Sequence, residues 1–278
     1  MKKLLKVGDT ISAVRYWSER ANAYNEQIDG PYHRHRLAVI HRLLEAVALD
    51  GTFCVDFGCG DGVMLEFLVA RGACVFGCDP VAEMVAAAQR RIGNKGAVVR
   101  GGVDALARIK PRSVDCVLAL NVLAYLTAAE EQTFYREAAR ILKPGAALVV
   151  THSNELFDMY TLNRLTVDFY ARHFCGEGSA DRIASLLTHP QIPERIVFNV
   201  RENPLSYAHK LAEFGFREDQ QEFMNLHPLP PLLMDPEGFR NIDAREYAPT
   251  LDWPEQERWK LMFMCSMFGS RATLIAEN

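Results

Sequence analysis

The residues best suited to chemistry lie in one glycine-rich turn. Three glycines alternate with single residues, and an acid precedes the first glycine by two positions, in Val55-Asp56-Phe57-Gly58-Cys59-Gly60-Asp61-Gly62. The apolar run before this turn predicts a buried strand, and residues 63–69 after it predict a helix. Glycines allow positive φ and let a ligand approach the backbone closely. A glycine turn between strand and helix predicts a nucleotide site at the carboxyl edge of a sheet.

The register of the glycines bears on which nucleotide binds. The dinucleotide fingerprint requires Gly-x-Gly-x-x-Gly, but here the third glycine comes one residue early and Val63 occupies its position. The Asp56 carboxylate would repel a pyrophosphate and would suit the ammonium group of an amino-acid ligand. A NAD-type Rossmann oxidoreductase stays an alternative, because it shares a glycine turn and an acid about 20 residues further on.

Further polar residues follow the next predicted strands. Asp79 ends the second strand, where an acid can accept hydrogen bonds from both ribose hydroxyls. Asp104 follows the third strand, and Asn121 follows the fourth. A Leu-Lys-Pro-Gly turn at 142–145 precedes the fifth strand. Either acid alone could cap a helix, but the order and spacing of the whole set favour a binding site.

With these motifs the chain resembles the class I S-adenosylmethionine-dependent methyltransferases, whose first motif reads Asp-x-Gly-x-Gly-x-Gly. The resemblance covers about residues 50–152 well and the rest in outline. It implies S-adenosyl-L-methionine as the cofactor, with Asp104 at the adenine amino group and the next backbone amide at the ring. The cofactor-binding residues that we predict are Tyr24, Arg36, Asp56, Gly58, Cys59, Gly60, Gly62, Asp79, Pro80, Asp104, Ala105, Asn121 and Val122.

The aromatic-rich stretch 16–24 also resembles the family, many of whose members carry such a helix over the cofactor. We predict Tyr24 as a lid residue near the methyl group and Arg36 as the partner of the ligand carboxylate. The alternative is that the aromatic side chains of this stretch simply pack and that Arg36 faces water.

Methyl transfer from a sulfonium is an in-line displacement, so the protein contributes mainly alignment and exclusion of water. A hydroxyl acceptor would gain from a general base, usually a histidine near neutral pH. We predict His152 at the end of the fifth strand, Glu155 on the adjoining loop and His227 in a proline-rich loop as catalytic residues. For each histidine, a hydrogen-bonded structural role is the alternative.

The acceptor is expected to be a small molecule. DNA-base enzymes of the family usually carry (Asp/Asn)-Pro-Pro-(Tyr/Phe) after the fourth strand, where this chain has Asn121-Val122-Leu123-Ala124. We predict methylation of oxygen or nitrogen on a sugar or specialised metabolite. A non-catalytic S-adenosylmethionine-binding scaffold is a further alternative, because an intact cofactor turn does not by itself require an acceptor pocket.

Alternating apolar runs and helical patterns predict an α/β fold, a doubly wound seven-stranded, mostly parallel sheet with N-terminal helices and a helical insert after the fifth strand. Asp252 is expected to cap a last helix that Gly269 ends, before a final strand at 271–276. The predicted units are a helical lid at 1–50, a cofactor-binding core at 51–152, an acceptor cap at 153–203 and a C-terminal completion of the sheet at 204–278.

Composition limits the other partners. The chain has 278 residues and a net charge of −4, which gives no indication of a nucleic-acid binder. No apolar run reaches the roughly 20 residues that span a bilayer, so we expect no membrane partner. The seven cysteines lack zinc spacing, so we expect no metal and a reducing, cytoplasmic location. Whether the chain forms a homodimer is left open.

Overall fold

Seven strands form one sheet in the structure, a computed structural model that describes residues 14, 15, 17, 18, 31–160, 169, 201–226, 250 and 253–275. The strands are β1 (Phe53–Phe57), β2 (Cys74–Asp79), β3 (Gly96–Arg100), β4 (Val114–Ala119), β5 (Leu142–Ser153), β6 (Phe216–Leu226) and β7 (Cys265–Leu274). Their order across the sheet is β3-β2-β1-β4-β5-β7-β6. The first five pair in parallel, and β7 runs antiparallel to both β5 and β6.

Helices connect the parallel strands and cover both faces of the sheet. They are α1 (Pro31–Leu44), α2 (Val63–Val69), α3 (Ala82–Ile92), α4 (Ala128–Ile141), α5 (Tyr207–Glu213) and α6 (Leu261–Met264). At the start of α4, the Thr127 side chain accepts from the Glu130 N–H while the Glu130 carboxylate accepts from the Thr127 N–H. This reciprocal capping box satisfies two backbone donors that a helix start leaves without partners.

The two faces of the sheet are apolar because alternate strand residues enter separate cores. One core gathers Val55 and Val117 with α4 and α5, and the other gathers Cys54 and Leu118 with α1, α2 and α3. Strand order reverses between β1 and β4, so the crevice at their carboxyl ends is the place where such folds bind ligands. The predicted doubly wound, mostly parallel sheet is confirmed.

The C-terminal part of the sheet differs from the sequence prediction. Gly269 does not end a helix: it lies in the middle of β7, opposite Thr151 of β5 and Glu222 of β6. A β-carbon there would come within 2.8 Å of Leu43 and 3.0 Å of Met224. Glycine is therefore required by close packing of α1 and β6 over β7, which a local sequence pattern does not reveal.

Residues 153–160 and 201–203 are the described ends of the predicted acceptor cap. The Asn154 amide group donates to the carbonyl oxygens of Met262 and Cys265, both at 2.7 Å. The Glu202 N–H donates to the Ser153 carbonyl at 3.1 Å, and the Glu155 N–H donates to the Glu202 carbonyl at 2.9 Å. These contacts fix both ends of the segment to the end of β5. No helix in the described ranges is long and apolar enough to cross a bilayer.

Candidate cofactor site

The glycine turn after β1 is shaped by two close contacts. Gly58, Gly60 and Gly62 have φ of 71°, 54° and 86°, in the left-handed region that favours glycine. A β-carbon on Gly58 would lie 2.5 Å from Val122, and one on Gly62 would lie 2.8 Å from the Ala88 Cα. At Gly60 nothing lies within 4 Å of the corresponding position. The outer glycines are packed against the protein, and the middle one is open to a ligand.

Asp79, at the end of β2, holds this turn in place. Its Oδ2 accepts from the Gly60 N–H at 3.1 Å and its Oδ1 from the Val81 N–H at 2.9 Å. Burial raises the pKa of Asp79, and the two backbone donors oppose that shift. Asp79 therefore links the first two strand ends, and its role at a ribose stays a prediction.

Arg91 of α3 is a second support of the turn, and sequence reasoning missed it. Its Nη2 donates to Asp61 Oδ2 at 2.6 Å, and its Nε donates to the Asp61 carbonyl at 3.0 Å. Its Nη1 also pairs with Glu66 Oε2 at 3.1 Å. Asp61 and Arg91 are separated by 30 residues, so no local spacing links them.

A cavity opens beside the turn, between β1 and α1. Its lining residues are His33, Arg36, Leu37, Ile40, Asp56, Gly58, Cys59, Gly60, Asp61, Val63, Met64 and Leu120. The structure thus brings together the predicted Arg36, Asp56 and glycine turn. Asp104, Pro80 and Asn121 lie on neighbouring strand ends outside this lining.

Asp56 and Arg36 give the cavity an acidic and a basic group. Burial, together with the nearby Asp79 and Cys54, raises the pKa of Asp56 to about 8. Arg36 Nη2 lies 3.1 Å from His33 Nδ1. Burial, together with the Arg36 charge, lowers the pKa of His33 to about 4, so this imidazole is neutral at pH 7 and accepts from Arg36. A ligand carrying both an ammonium and a carboxylate would match these two groups, with Asp56 giving up its proton when the ammonium binds beside it.

The residues after β3 form hydrogen bonds with one another. Asp104 is exposed, and its Oδ1 accepts from the Gly102 N–H at 3.0 Å. The Ala105 N–H donates to the Gly102 carbonyl at 3.1 Å, and the contacts of Asp104 and Ala105 with an adenine stay predictions. Pro80 contributes its carbonyl oxygen to Arg100 Nε at 3.1 Å.

Part of the predicted lid, including Tyr24, lies outside the described residues. Trp17 of the same aromatic stretch is described, and its ring meets that of Tyr125 edge-on, with centroids 5.5 Å apart. Trp17 also packs against Val81 and Met84, after the end of β2. Trp17 therefore lies beside the ends of β2 and β4.

His152 is placed where it does not suit the predicted catalytic role. Its side chain is only 2% exposed, and its ring packs against Tyr207 and Phe268. Its Nε2 lies 3.5 Å from the Tyr135 hydroxyl, and burial lowers its pKa well below the ordinary value. A general base must reach the proton that it removes. This burial between α4, α5 and β7 therefore favours the structural alternative.

Glu155 and His227 are the two other predicted catalytic residues. Glu155 is buried directly after the end of β5, with 3% exposure. His227 lies outside the described residues. Of the described candidates, neither His152 nor Glu155 is exposed to an acceptor.

We predict that Gly58→Ala weakens binding of S-adenosylhomocysteine at least tenfold, measured by calorimetry, because the new methyl group displaces Val122. Gly51→Ala is the matched control: Gly51 also has positive φ, of 69°, but a β-carbon there meets nothing within 4 Å. Both variants carry the same backbone cost of about 1–2 kcal/mol. Equal affinities in the two variants would contradict the proposed contact.

We predict opposite effects of Asp56→Asn on binding and on stability. Loss of the carboxylate should weaken S-adenosylhomocysteine binding roughly 10–100-fold, the usual effect of losing a charge-assisted hydrogen bond. The unliganded protein should become more stable. Native Asp56 keeps its proton up to about pH 8, whereas the unfolded chain releases it near 3.8, so the wild-type free energy of unfolding falls between these values as pH rises.

The stabilisation by Asp56→Asn is therefore expected to be larger at pH 8 than at pH 5, measured by thermal unfolding at both values. A difference between variant and wild type that does not change with pH would show that Asp56 is not the buried acid described above.

Part of the chain is similar to known methyltransferases. Residues 55–150 match the family model described as a methyltransferase domain. The ubiquinone biosynthesis O-methyltransferase of Rhodopseudomonas palustris strain BisB18 is 30% identical over 125 residues, which cover 45% of this chain and 48% of that protein. The mitochondrial mouse enzyme of the same name is 33% identical over 124 residues, covering 41% of this chain and 32% of that protein. The chain thus matches about half or less of these relatives' lengths.

Solved structures share the whole fold at low identity. The methyltransferase complexed with the Haloferax volcanii Trm112 activator has a TM-score of 0.59 and 20% identity, covering 98% of this chain and 99% of its own. Magnesium protoporphyrin IX methyltransferase from Synechocystis PCC 6803, solved with bound S-adenosylhomocysteine, has a TM-score of 0.56 and 16% identity, covering 94% and 97%. Residues 55–150 thus match a methyltransferase domain, and the fold is that of solved methyltransferases, one of them holding S-adenosylhomocysteine.

Proposed function

We propose that this protein transfers a methyl group from S-adenosylmethionine to oxygen of a small-molecule acceptor, a sugar or a specialised metabolite. The observation that carries the proposal is the cavity in which Asp56, Arg36 and the open face of Gly60 meet. When bound, S-adenosylmethionine supplies a methyl group already activated on a sulfonium sulfur. The protein then has to bind, orient and exclude water.

The charges in the cavity fit the amino-acid end of this cofactor. Burial and the neighbouring Asp79 and Cys54 all raise the pKa of Asp56, so a cation placed beside it would relieve an unfavourable state. Arg36, which lines the same cavity, would bind the carboxylate, with neutral His33 fixing the guanidinium. A dinucleotide would instead place a pyrophosphate near a buried acid, which argues against the oxidoreductase alternative.

Alignment is the main contribution that the described residues can make to the reaction. His152 is enclosed by aromatic rings and Glu155 is buried, so neither is proposed as the base. Holding reacting atoms in line can lower a barrier by several kcal/mol, on the order of 7–11 for well-oriented groups. An acceptor hydroxyl that ionises readily would need less help from a base.

Oxygen is proposed as the acceptor atom because relatives over the cofactor domain are O-methyltransferases by name. These relatives match this chain over only 41–45% of its length. We therefore do not propose their acceptor molecules as the acceptor of this protein. We infer that segments outside the matched domain determine which hydroxyl compound binds as the acceptor.

An acceptor screen tests the proposal. The protein should bind S-adenosylmethionine saturably and transfer its methyl group to at least one hydroxyl compound in a panel of sugars, phenols, amines and prenylated acceptors. Products are detected by mass spectrometry, and Asp56→Asn, assayed at a cofactor concentration below its weakened Kd, serves as the matched control with reduced transfer. Saturable NAD binding without S-adenosylmethionine binding would support the oxidoreductase instead. Cofactor binding with no transfer to any acceptor would support the non-catalytic scaffold.

A further inference from the structure

The turn after β4 has a strained backbone that is held from the neighbouring strand. Asn121 has a φ of 56°, in the left-handed region that costs most residues about 1–2 kcal/mol and that asparagine tolerates better. Its N–H donates to Oγ1 of Thr151, in β5, at 2.7 Å. The Thr151 side chain in β5 therefore fixes the backbone of the turn that follows β4.

The two branches of the Thr151 side chain face different neighbours. The residue is fully buried, so it does not touch a ligand in the cavity. Its Cγ2 lies 3.3 Å from the position that a β-carbon on Gly269 of β7 would occupy. The methyl group thus packs toward β7, while the hydroxyl group serves the turn at Asn121.

The turn held by Thr151 forms part of the cofactor cavity. Leu120, just before Asn121, lines the cavity together with Asp56. Val122, just after Asn121, lies against Gly58, since a β-carbon on that glycine would meet Val122 atoms at 2.5, 2.7 and 3.2 Å. A shift of the turn would therefore move both the cavity wall and the glycine turn.

We propose that Thr151 is a positioning residue for cofactor binding. Its hydroxyl group holds the turn at 120–122 so that Leu120 lines the cavity beside Asp56 and Val122 lies against Gly58. The inference rests on the proposed function, because it assumes that this cavity binds S-adenosylmethionine. It adds a residue that lies outside the cavity and that the methyltransferase motifs do not include.

Two substitutions separate the hydroxyl group from the methyl group. Thr151→Val keeps the shape of the side chain and leaves the Asn121 N–H without its acceptor, whereas Thr151→Ser keeps the acceptor and removes the methyl group. We expect Thr151→Val to weaken S-adenosylhomocysteine binding roughly tenfold by calorimetry, in line with the loss of one buried hydrogen bond. Thr151→Ser should bind like the wild type although its unfolding temperature falls below that of the wild type, because it leaves a small void beside β7.

A purely structural role would make affinity follow stability, so Thr151→Ser retaining affinity while losing stability is the distinguishing result. Val122→Ala, alone and combined with Thr151→Val, tests the route: the two losses of affinity should be less than additive if the hydroxyl acts through Val122. Should Thr151→Val fail to fold, Thr151→Ala against Thr151→Ser compares the same hydroxyl group, since both lack the methyl group.

Wild-type affinity in Thr151→Val, or equal losses in Thr151→Val and Thr151→Ser, would overturn the inference. Fully additive losses with Val122→Ala would overturn the proposed route. Failure of the wild type itself to bind S-adenosylhomocysteine would instead refute the proposed function, so the two failures are distinguishable.

Discussion

The buried carboxyl group of Asp56 is the constraint on which the site depends. It lies at the end of β1, 2% exposed, where burial and the neighbouring Asp79 favour its protonated form. Burying an acid without a cation is costly, and the fold places it in the lining of a cavity that Arg36 also lines. The arrangement destabilises the unliganded protein, and we propose that a ligand bringing an ammonium group relieves this cost.

The surroundings of Asp56 are held by contacts between the ends of four different strands. Asp79 of β2 accepts a hydrogen bond from the glycine turn, and Arg91 of α3 donates one to the same turn. Val122, after β4, lies against Gly58. The hydroxyl group of Thr151 in β5 then fixes the backbone before Val122. Each strand end thus positions the end of the neighbouring strand around the crevice where the strand order reverses. Small displacements there are expected to affect binding more than overall stability.

The sequence predicted what depends on local pattern and missed what depends on distant packing. Glycine spacing and apolar runs were sufficient for the strand–turn–helix at β1, because backbone conformation and burial there are determined within a few residues. The burial of His152 requires Tyr207, 55 residues further along the chain, so a histidine at a strand end looked available as a base. The pairing of Arg91 with Asp61 and the strand position of Gly269 likewise arise only when separate elements meet.

The most direct test of this account is whether cofactor binding takes the proton from Asp56. Calorimetric titration with S-adenosylhomocysteine at pH 6.5, in two buffers of different ionisation enthalpy, measures the protons exchanged. Because the pKa of Asp56 is raised to about 8 without ligand, pairing with the ammonium group should release a proton to the buffer, and Asp56→Asn should abolish that release. Binding with no proton release, or with identical release in Asp56→Asn, would contradict the role of Asp56 described here.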